Sequence, residues 1–386
     1  MKIITFYLPQ FHSFPENDKW WGKDFTEWTN TKKSNSLFKG HYQPREPEND
    51  NYYNLLNDTT IEWQIKLAQE HGIYGFCFYH YWFKDGKKLM EKPIENYLKN
   101  KNLNQKFCLC WANENWTRTW DGKEKEVIMK QEYGGKEEWE KHFYYLLDFF
   151  KDERYILKDE KPVLLIYKPL QISKIDQMLE MWQELAKLNG FKGICFIAQN
   201  DYLEINKLKK DIFDFGIAFE PSYTQEFYSI NNYKKLKNIF YNCKMTLEVN
   251  FQKSKKILRS IFNISNNRWK VTILNYDLFW QDIISRKENE KVFSGAFTDW
   301  DNSPRRGINN SRIFEGSTPE KFKSYMKQLI EKNKKNNKEM IFINAWNEWA
   351  EGAYLEPDKK YGKKYLQALK QALIETDELE KSKKEK

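Results

Sequence analysis

The sequence predicts an α/β fold, a single (β/α)8 TIM-type barrel with insertions in its βα loops, and three observations carry that expectation. Short apolar runs alternate with longer amphipathic ones along the 386 residues, the pattern of repeated βα units. Eight such runs are found, and each ends in polar and aromatic residues, where barrels of this kind carry their chemistry. Neither an internal repeat nor a Pro/Gly-rich linker divides the chain, so one barrel is expected over 1–360, followed by a C-terminal helix and Lys-rich tail over 361–386.

The strand candidates cover 2–8, 73–79, 107–111, 163–167, 194–198, 213–220, 292–297 and 340–344. Each is short, apolar and rich in β-branched or aromatic residues, as a strand buried on both faces must be. Helical periodicity falls between them at 59–70, 91–99, 137–150, 175–187 and 319–332, and again at 363–381. A ninth apolar run, 271–276, suits an insertion between the sixth and seventh strands, so the count of eight is a preference.

The loops that follow these strands form one list. Tyr7 lies near the end of the first run and Gln10 follows it; His80 and Trp82 follow the second; Asn113, Glu114 and Trp116 follow the third. Lys168, then Gln199 and Asn200, follow the fourth and fifth. Glu220 and Tyr223 follow the sixth, and Asp301 and Asn302 the seventh. Amides, carboxylates and indoles on one rim suit a pocket that grips hydroxyls and ring faces.

The eighth run, Met340-Ile341-Phe342-Ile343, empties into Asn344, Trp346, Asn347, Glu348, Trp349 and Glu351. Two carboxylates facing one pocket walled by Trp346 and Trp349 cannot both ionise cheaply, so desolvation and repulsion push at least one pKa upward. One can then donate a proton near neutrality while the other stays basic, the division of labour that glycosidic-bond chemistry needs. The bland alternative is a pair of solvated glutamates on a turn.

Composition narrows the classes. Aromatic residues make up 17% of the chain, with Trp 15, Tyr 23 and Phe 27; most must fill the core, and the remainder offer stacking faces for sugars. The net charge of +9 comes from lysines spread over helices and gathered near the C-terminus, a solvated face rather than a nucleic-acid stripe. Five cysteines without C-x-x-C spacing imply a reducing compartment and no disulfide framework. Pro9 stops the first apolar run too early for a signal peptide, and no stretch of about 18 apolar residues follows, so a cytoplasmic protein without a membrane span is expected.

His41, His71 and His80 have no zinc-ligand spacing, and neither a metal nor a cofactor is expected. Asp299 and Asp301 form a D-x-D without a Gly-rich phosphate loop; hydroxyl binding is preferred there over a structural or metal role. Arg305 and Arg306 could reach an anionic group such as a uronate or a lipid diphosphate, or pair with a nearby carboxylate.

Several motifs together carry a resemblance. Tyr7 to His12, Trp20-Trp21-Gly22 through Thr26-Glu27-Trp28, Gly75-Phe76 through Phe83, Trp111 to Glu114, Trp300 to Arg305, and Trp346-Asn347-Glu348-Trp349 through Gly352 resemble the WbsX-like family. That family is associated with bacterial surface polysaccharide (O-antigen) gene clusters, is often labelled glycosyltransferase, and is related to the glycoside hydrolase family 99 endo-α-mannosidases. The resemblance spans Tyr7 to about Glu356. It implies a (β/α)8 barrel and, through the motif N-E-W-H-E-G, a base acting on the sugar 2-hydroxyl at Glu348 and the acid/base at Glu351. The implied mechanism retains configuration through O2. Ala350 stands where the mannosidases have His, which leaves the mannose specificity open.

Three readings remain at this stage. The preferred one is an enzyme acting on α-linkages of a surface oligosaccharide or polysaccharide, free or lipid-linked. A glycosyltransferase using an activated donor is the second, and a non-catalytic glycan-binding barrel is the third. The oligomeric state is not legible.

Overall fold

The structure, a computed structural model, describes residues 1–118, 123–200, 212–231, 270–287 and 289–384. Its centre is a closed barrel of eight parallel strands: β1 (Lys2–Tyr7), β2 (Gly75–Trp82), β3 (Lys106–Trp111), β4 (Lys161–Ile166), β5 (Cys195–Ala198), β6 (Phe215–Ile217), β7 (Val292–Phe297) and β8 (Met340–Asn344). Successive strands pair in parallel around the ring, and β1 closes it by pairing with both β2 and β8. All eight predicted runs are barrel strands. The sixth is shorter than its apolar run suggests.

Parallel neighbours require crossovers, and the amphipathic segments supply them. These are α1 (Asp58–Glu70), α2 (Lys92–Lys99), α3 (Lys136–Phe150), α4 (Ile175–Leu188), α5 (Tyr276–Ser285) and α6 (Pro319–Lys335), and α7 (Lys364–Lys384) follows the last strand. Helix α7 packs on α6 through the Phe322 and Tyr365 rings, 5.5 Å apart, and through a 3.0 Å ion pair from Lys327 to Glu375.

The ninth run forms a strand, Lys270–Asn275, outside the barrel, where it pairs in parallel with Asn309–Glu315, a strand that sequence reading did not foresee. Two short helices in the first βα loop, Pro15–Trp21 and Glu27–Lys33, were also unforeseen, because neither is long enough to show apolar periodicity. Cys243 and Lys386 lie outside the described residues.

Rings fill the barrel's interior. Phe6 on β1 stacks on Tyr79 at 5.6 Å and meets Phe219 edge-on at 5.0 Å and Phe342 at 5.9 Å. Gly295 on β7 makes room for this filling, since a Cβ there would run into the carbonyl oxygen of Ala218 beyond β6. Gly295→Ala is therefore expected to cost about 3 kcal/mol or more, as overpacking against backbone that cannot yield. A thermal melt of the purified variant measures it, and an unchanged midpoint would contradict this account.

Candidate active site

The C-terminal ends of the strands open into a cleft of about 530 Å³. Strand parity decides which side chains reach it, because neighbouring residues point to opposite faces. At β2, Tyr79 and Tyr81 face the cleft, whereas His80 and Trp82 turn outward to α3. There His80 Nε2 lies 2.8 Å from His142 Nε2, and Trp82 stacks on the His142 ring at 4.6 Å. Burial, reinforced by Lys88, pushes His80 down to about 3, so this ring is neutral near pH 7. At β1 the same parity sends Leu8 and Gln10 inward. Tyr7 turns outward and donates to Gln64 Oε1 on α1 at 2.6 Å. After β3, Ala112, Glu114 and Trp116 line the cleft. Asn113 instead binds the Lys168 main chain, accepting from its N–H at 2.7 Å and donating to its carbonyl at 2.8 Å.

Three carboxylates and one guanidinium form the polar centre. Arg305, from the loop after β7, donates to Glu351, to Glu348 at 3.0 Å and to Glu27 at 3.1 Å. Glu348 and Glu351 line the cleft; Glu27 is fully buried behind them. One cation among three carboxylates leaves an excess of negative charge in a desolvated place. Burial first, then repulsion from Glu351 and Glu27, raises Glu348 to about 8, against the pull of Arg305. At neutral pH the Glu348 carboxyl holds a proton beside the Arg-paired Glu351, whereas the resemblance implies the acid/base at Glu351 and the base at Glu348.

The loop that carries both glutamates is fixed from below. Asn347 accepts from Leu8 N–H at 2.8 Å and donates to its carbonyl at 3.0 Å, extending β1 by side-chain pairing. Asn347–Glu348 pairs antiparallel with Ala353–Tyr354, and Trp349 stacks on Tyr354 at 3.9 Å. Glu356 receives bonds from the Trp349 indole at 2.7 Å, from Tyr53 at 2.8 Å and from Gln64 at 2.7 Å. Trp346 and Trp349 are thus buried supports, and the cleft's aromatic walls are Tyr79, Tyr81, Tyr167, Phe219, Trp116 and Trp300.

The D-x-D carboxylates are engaged inside the fold. Asp299 pairs with Arg45 at 2.8 Å; Asp301 takes bonds from His41 at 2.8 Å and from Gln43 at 2.7 Å. Burial alone would raise Asp301, but His41 and Arg45 hold it below its ordinary value. Glu220 is likewise buried against Arg286, at 2.6 Å, and Tyr223 lies under the same guanidinium, 4.8 Å from its ring centre.

Of the residues picked from sequence, the structure therefore brings Gln10, Glu114, Trp116, Asn302, Arg305, Glu348 and Glu351 into one cleft. It holds Tyr7, His80, Trp82, Asn113, Glu220, Tyr223, Asp301, Trp346, Asn347 and Trp349 in the surrounding fold, each engaged as just described. Sequence reading missed Tyr79, Tyr81, Tyr167, Trp300 and Glu27. The two β2 tyrosines alternate with the two residues picked in their place, so the available signal was period-two spacing without its phase.

The profile of a family described as Glycosyltransferase WbsX matches residues 3–369. The chain belongs to the WbsX family. This WbsX-family protein is 32% identical over 375 residues to the uncharacterized protein WxcX of Xanthomonas campestris pv. campestris, a match covering 96% of this chain and 49% of that protein. It thus spans about half the length of the curated relatives it matches. The GH99 endo-α-mannosidase from Bacteroides thetaiotaomicron is similar in structure, with a TM-score of 0.53 at 12% identity over 99% of this chain and 98% of that one. A glycoside hydrolase-like protein gives 0.53 at 15% identity over 96% and 93%. At these identities the likeness shows the shared barrel. Among the described residues no helix is long and apolar enough to cross a membrane.

The proton on Glu348 gives stability a pH dependence of definite sign. Its carboxyl titrates at about 8 in the fold and from 4.5 in a solvated chain, so the native state binds more protons in that window and stability falls as pH rises through it. The contribution is fully present below about 4.5 and lost above about 8. Glu348→Gln should flatten this slope and exceed the wild-type melting midpoint most clearly at the alkaline end. Parallel melting curves for the two proteins across the window would contradict the assignment.

Proposed function

We propose that the protein is a retaining enzyme that makes or breaks α-glycosidic linkages of a bacterial surface polysaccharide, with Glu348 and Glu351 as its acid/base pair. The observation that carries this is one guanidinium, Arg305, bonded to both carboxylates at the wall of an aromatic cleft, with Glu348 raised to about 8 beside Glu351. Sugars suit such walls, since Tyr81, Tyr167 and Trp300 offer ring faces while Gln10, Glu114 and Asn302 offer hydroxyl partners. The matching family is described as a glycosyltransferase, and the similar solved structures include endo-α-mannosidases; the resemblance adds the association with surface polysaccharide.

In the reading implied by the resemblance, Glu348 takes the proton of the sugar 2-hydroxyl as O2 attacks C1, and Glu351 protonates the departing oxygen. Water or an acceptor hydroxyl then opens the intermediate with Glu351 as base, so that hydrolysis and transfer differ only in the acceptor. The resting proton on Glu348 must then pass to Glu351 as substrate binds. A second reading, favoured by that same proton, makes Glu348 the direct acid and the Arg-paired Glu351 the carboxylate. Ala350, where the mannosidases have His, turns its N–H to Glu27 at 3.1 Å and offers no polar side chain to the sugar, so the reading stops at an α-linked sugar.

A rate comparison over substrates of graded leaving-group pKa separates these readings. With Glu351 as acid, Glu351→Gln slows poor leaving groups on the order of 10²–10⁴-fold and spares good ones, while Glu348→Gln slows both. The reverse pattern selects the second reading. Equal, mild losses with every substrate would mean that the glutamates only bind sugar.

Chelation tests the transferase alternative. Because Asp299 and Asp301 are already engaged by Arg45, His41 and Gln43, turnover of the host's lipid-linked oligosaccharide should survive EDTA and need no nucleotide sugar. Activity that returns only with manganese and a nucleotide sugar would sink the glycosidic reading.

A further inference from the structure

Glu27 is the carboxylate that neither the motif roles nor the cleft lining uses. It stands at the start of the helix Glu27–Lys33 in the first βα loop, and its N–H donates to the Gln10 carbonyl at 3.1 Å. Its side chain is completely buried. Oε1 accepts from Arg305 Nη2 at 3.1 Å and from Ala350 N–H at 3.1 Å, while Oε2 meets no hydrogen-bonding partner among the described residues.

Packing does not call for a charge at this position. The next residue, Trp28, already docks the helix on Trp349, with ring centres 5.3 Å apart, and donates to the Tyr53 carbonyl at 2.9 Å. A buried carboxylate with one unsatisfied oxygen weakens a fold relative to an apolar residue of similar size. Its two contacts fall on the two elements that matter for the pair: the guanidinium shared by Glu348 and Glu351, and the peptide between them.

We propose that Glu27 is a positioning residue of this site, holding Arg305 between Glu348 and Glu351 and pinning the turn that carries both. The proposal rests on reading those two glutamates as the reacting pair. Burial raises the Glu27 carboxyl above its ordinary value as well, against the pull of Arg305; Glu27 thereby draws part of Arg305's attraction away from Glu348, and its charged form adds repulsion nearby. Both effects keep the Glu348 proton in place at neutral pH. The other groups that face Glu348 are Glu351 and the phenols of Tyr79 and Tyr81.

The test follows the Glu348 carboxyl by NMR in protein labelled with ¹³C-glutamate, without substrate, using Glu348→Gln to assign the signal. Wild type should titrate near 8. Glu27→Gln keeps an oxygen for Arg305 and for Ala350 N–H but removes the charge, and should lower the midpoint by about one unit. Glu27→Asp retains a retracted charge and should shift it less, in the same direction. The limb of the pH–rate profile that Glu348 sets should move equally, with kcat affected more than KM. An unmoved midpoint in folded Glu27→Gln, or in Glu27→Asp should the first variant not fold, overturns the proposal and leaves Glu27 a packing residue. A moved midpoint beside full turnover by Glu348→Gln and Glu351→Gln would instead remove the catalytic reading on which the proposal stands.

Discussion

One guanidinium shared by three carboxylates is the constraint on which the site depends. Arg305 comes from the loop after β7, Glu348 and Glu351 from the loop after β8, and Glu27 from the insertion after β1. Each carboxylate would be costly in this desolvated place without a cation, and a lone buried arginine would be equally costly. The loops therefore cannot separate without exposing an unpaired charge. The charge balance also sets the chemistry: one positive group cannot neutralise three negative ones, so a proton stays on the cluster, and Glu348, the carboxyl raised to about 8, holds it.

Most of the remaining polar structure keeps these loops where that sharing is possible. Asn347 stitches the eighth loop to the end of β1, and Glu356 gathers Trp349, Tyr53 and Gln64 beneath it. Asp301 N–H donates to the Glu351 carbonyl at 2.6 Å while its carboxylate is held by His41 and Gln43, which joins the seventh loop to the eighth. Residues that read as ligand-binding in the sequence thus include many that bind the protein to itself. A glycan pocket and its scaffold draw on the same residue types, because buried amides and carboxylates need partners whether the partner is a sugar or a backbone.

The fold was largely legible because its signals are local and repeated. Eight apolar runs separated by amphipathic ones leave few arrangements other than a barrel. The pair Glu348 and Glu351 was legible because a buried strand leads directly into it. Glu27 was not, since a glutamate opening a short helix resembles any helix N-terminus, and its value arises only from Arg305, distant in sequence and supplied by another loop. Trp346 and Trp349 were read as pocket walls because indoles beside carboxylates look alike whether they face a sugar or the core.

By itself the sequence determined the barrel, the rim on which the polar residues cluster and the acidic pair, all of which follow from apolar patterning and from what lies immediately after each run. The tertiary structure alone decided phase and partnership. In a strand buried on both faces, inward and outward residues are equally apolar, so nothing local distinguishes Tyr79 and Tyr81 from His80 and Trp82. Closure of the ring fixes each strand's register, and register fixes the face. Closure turned the two tyrosines to the cleft and the histidine and tryptophan to α3, and it brought Arg305 and Glu27 to the glutamates.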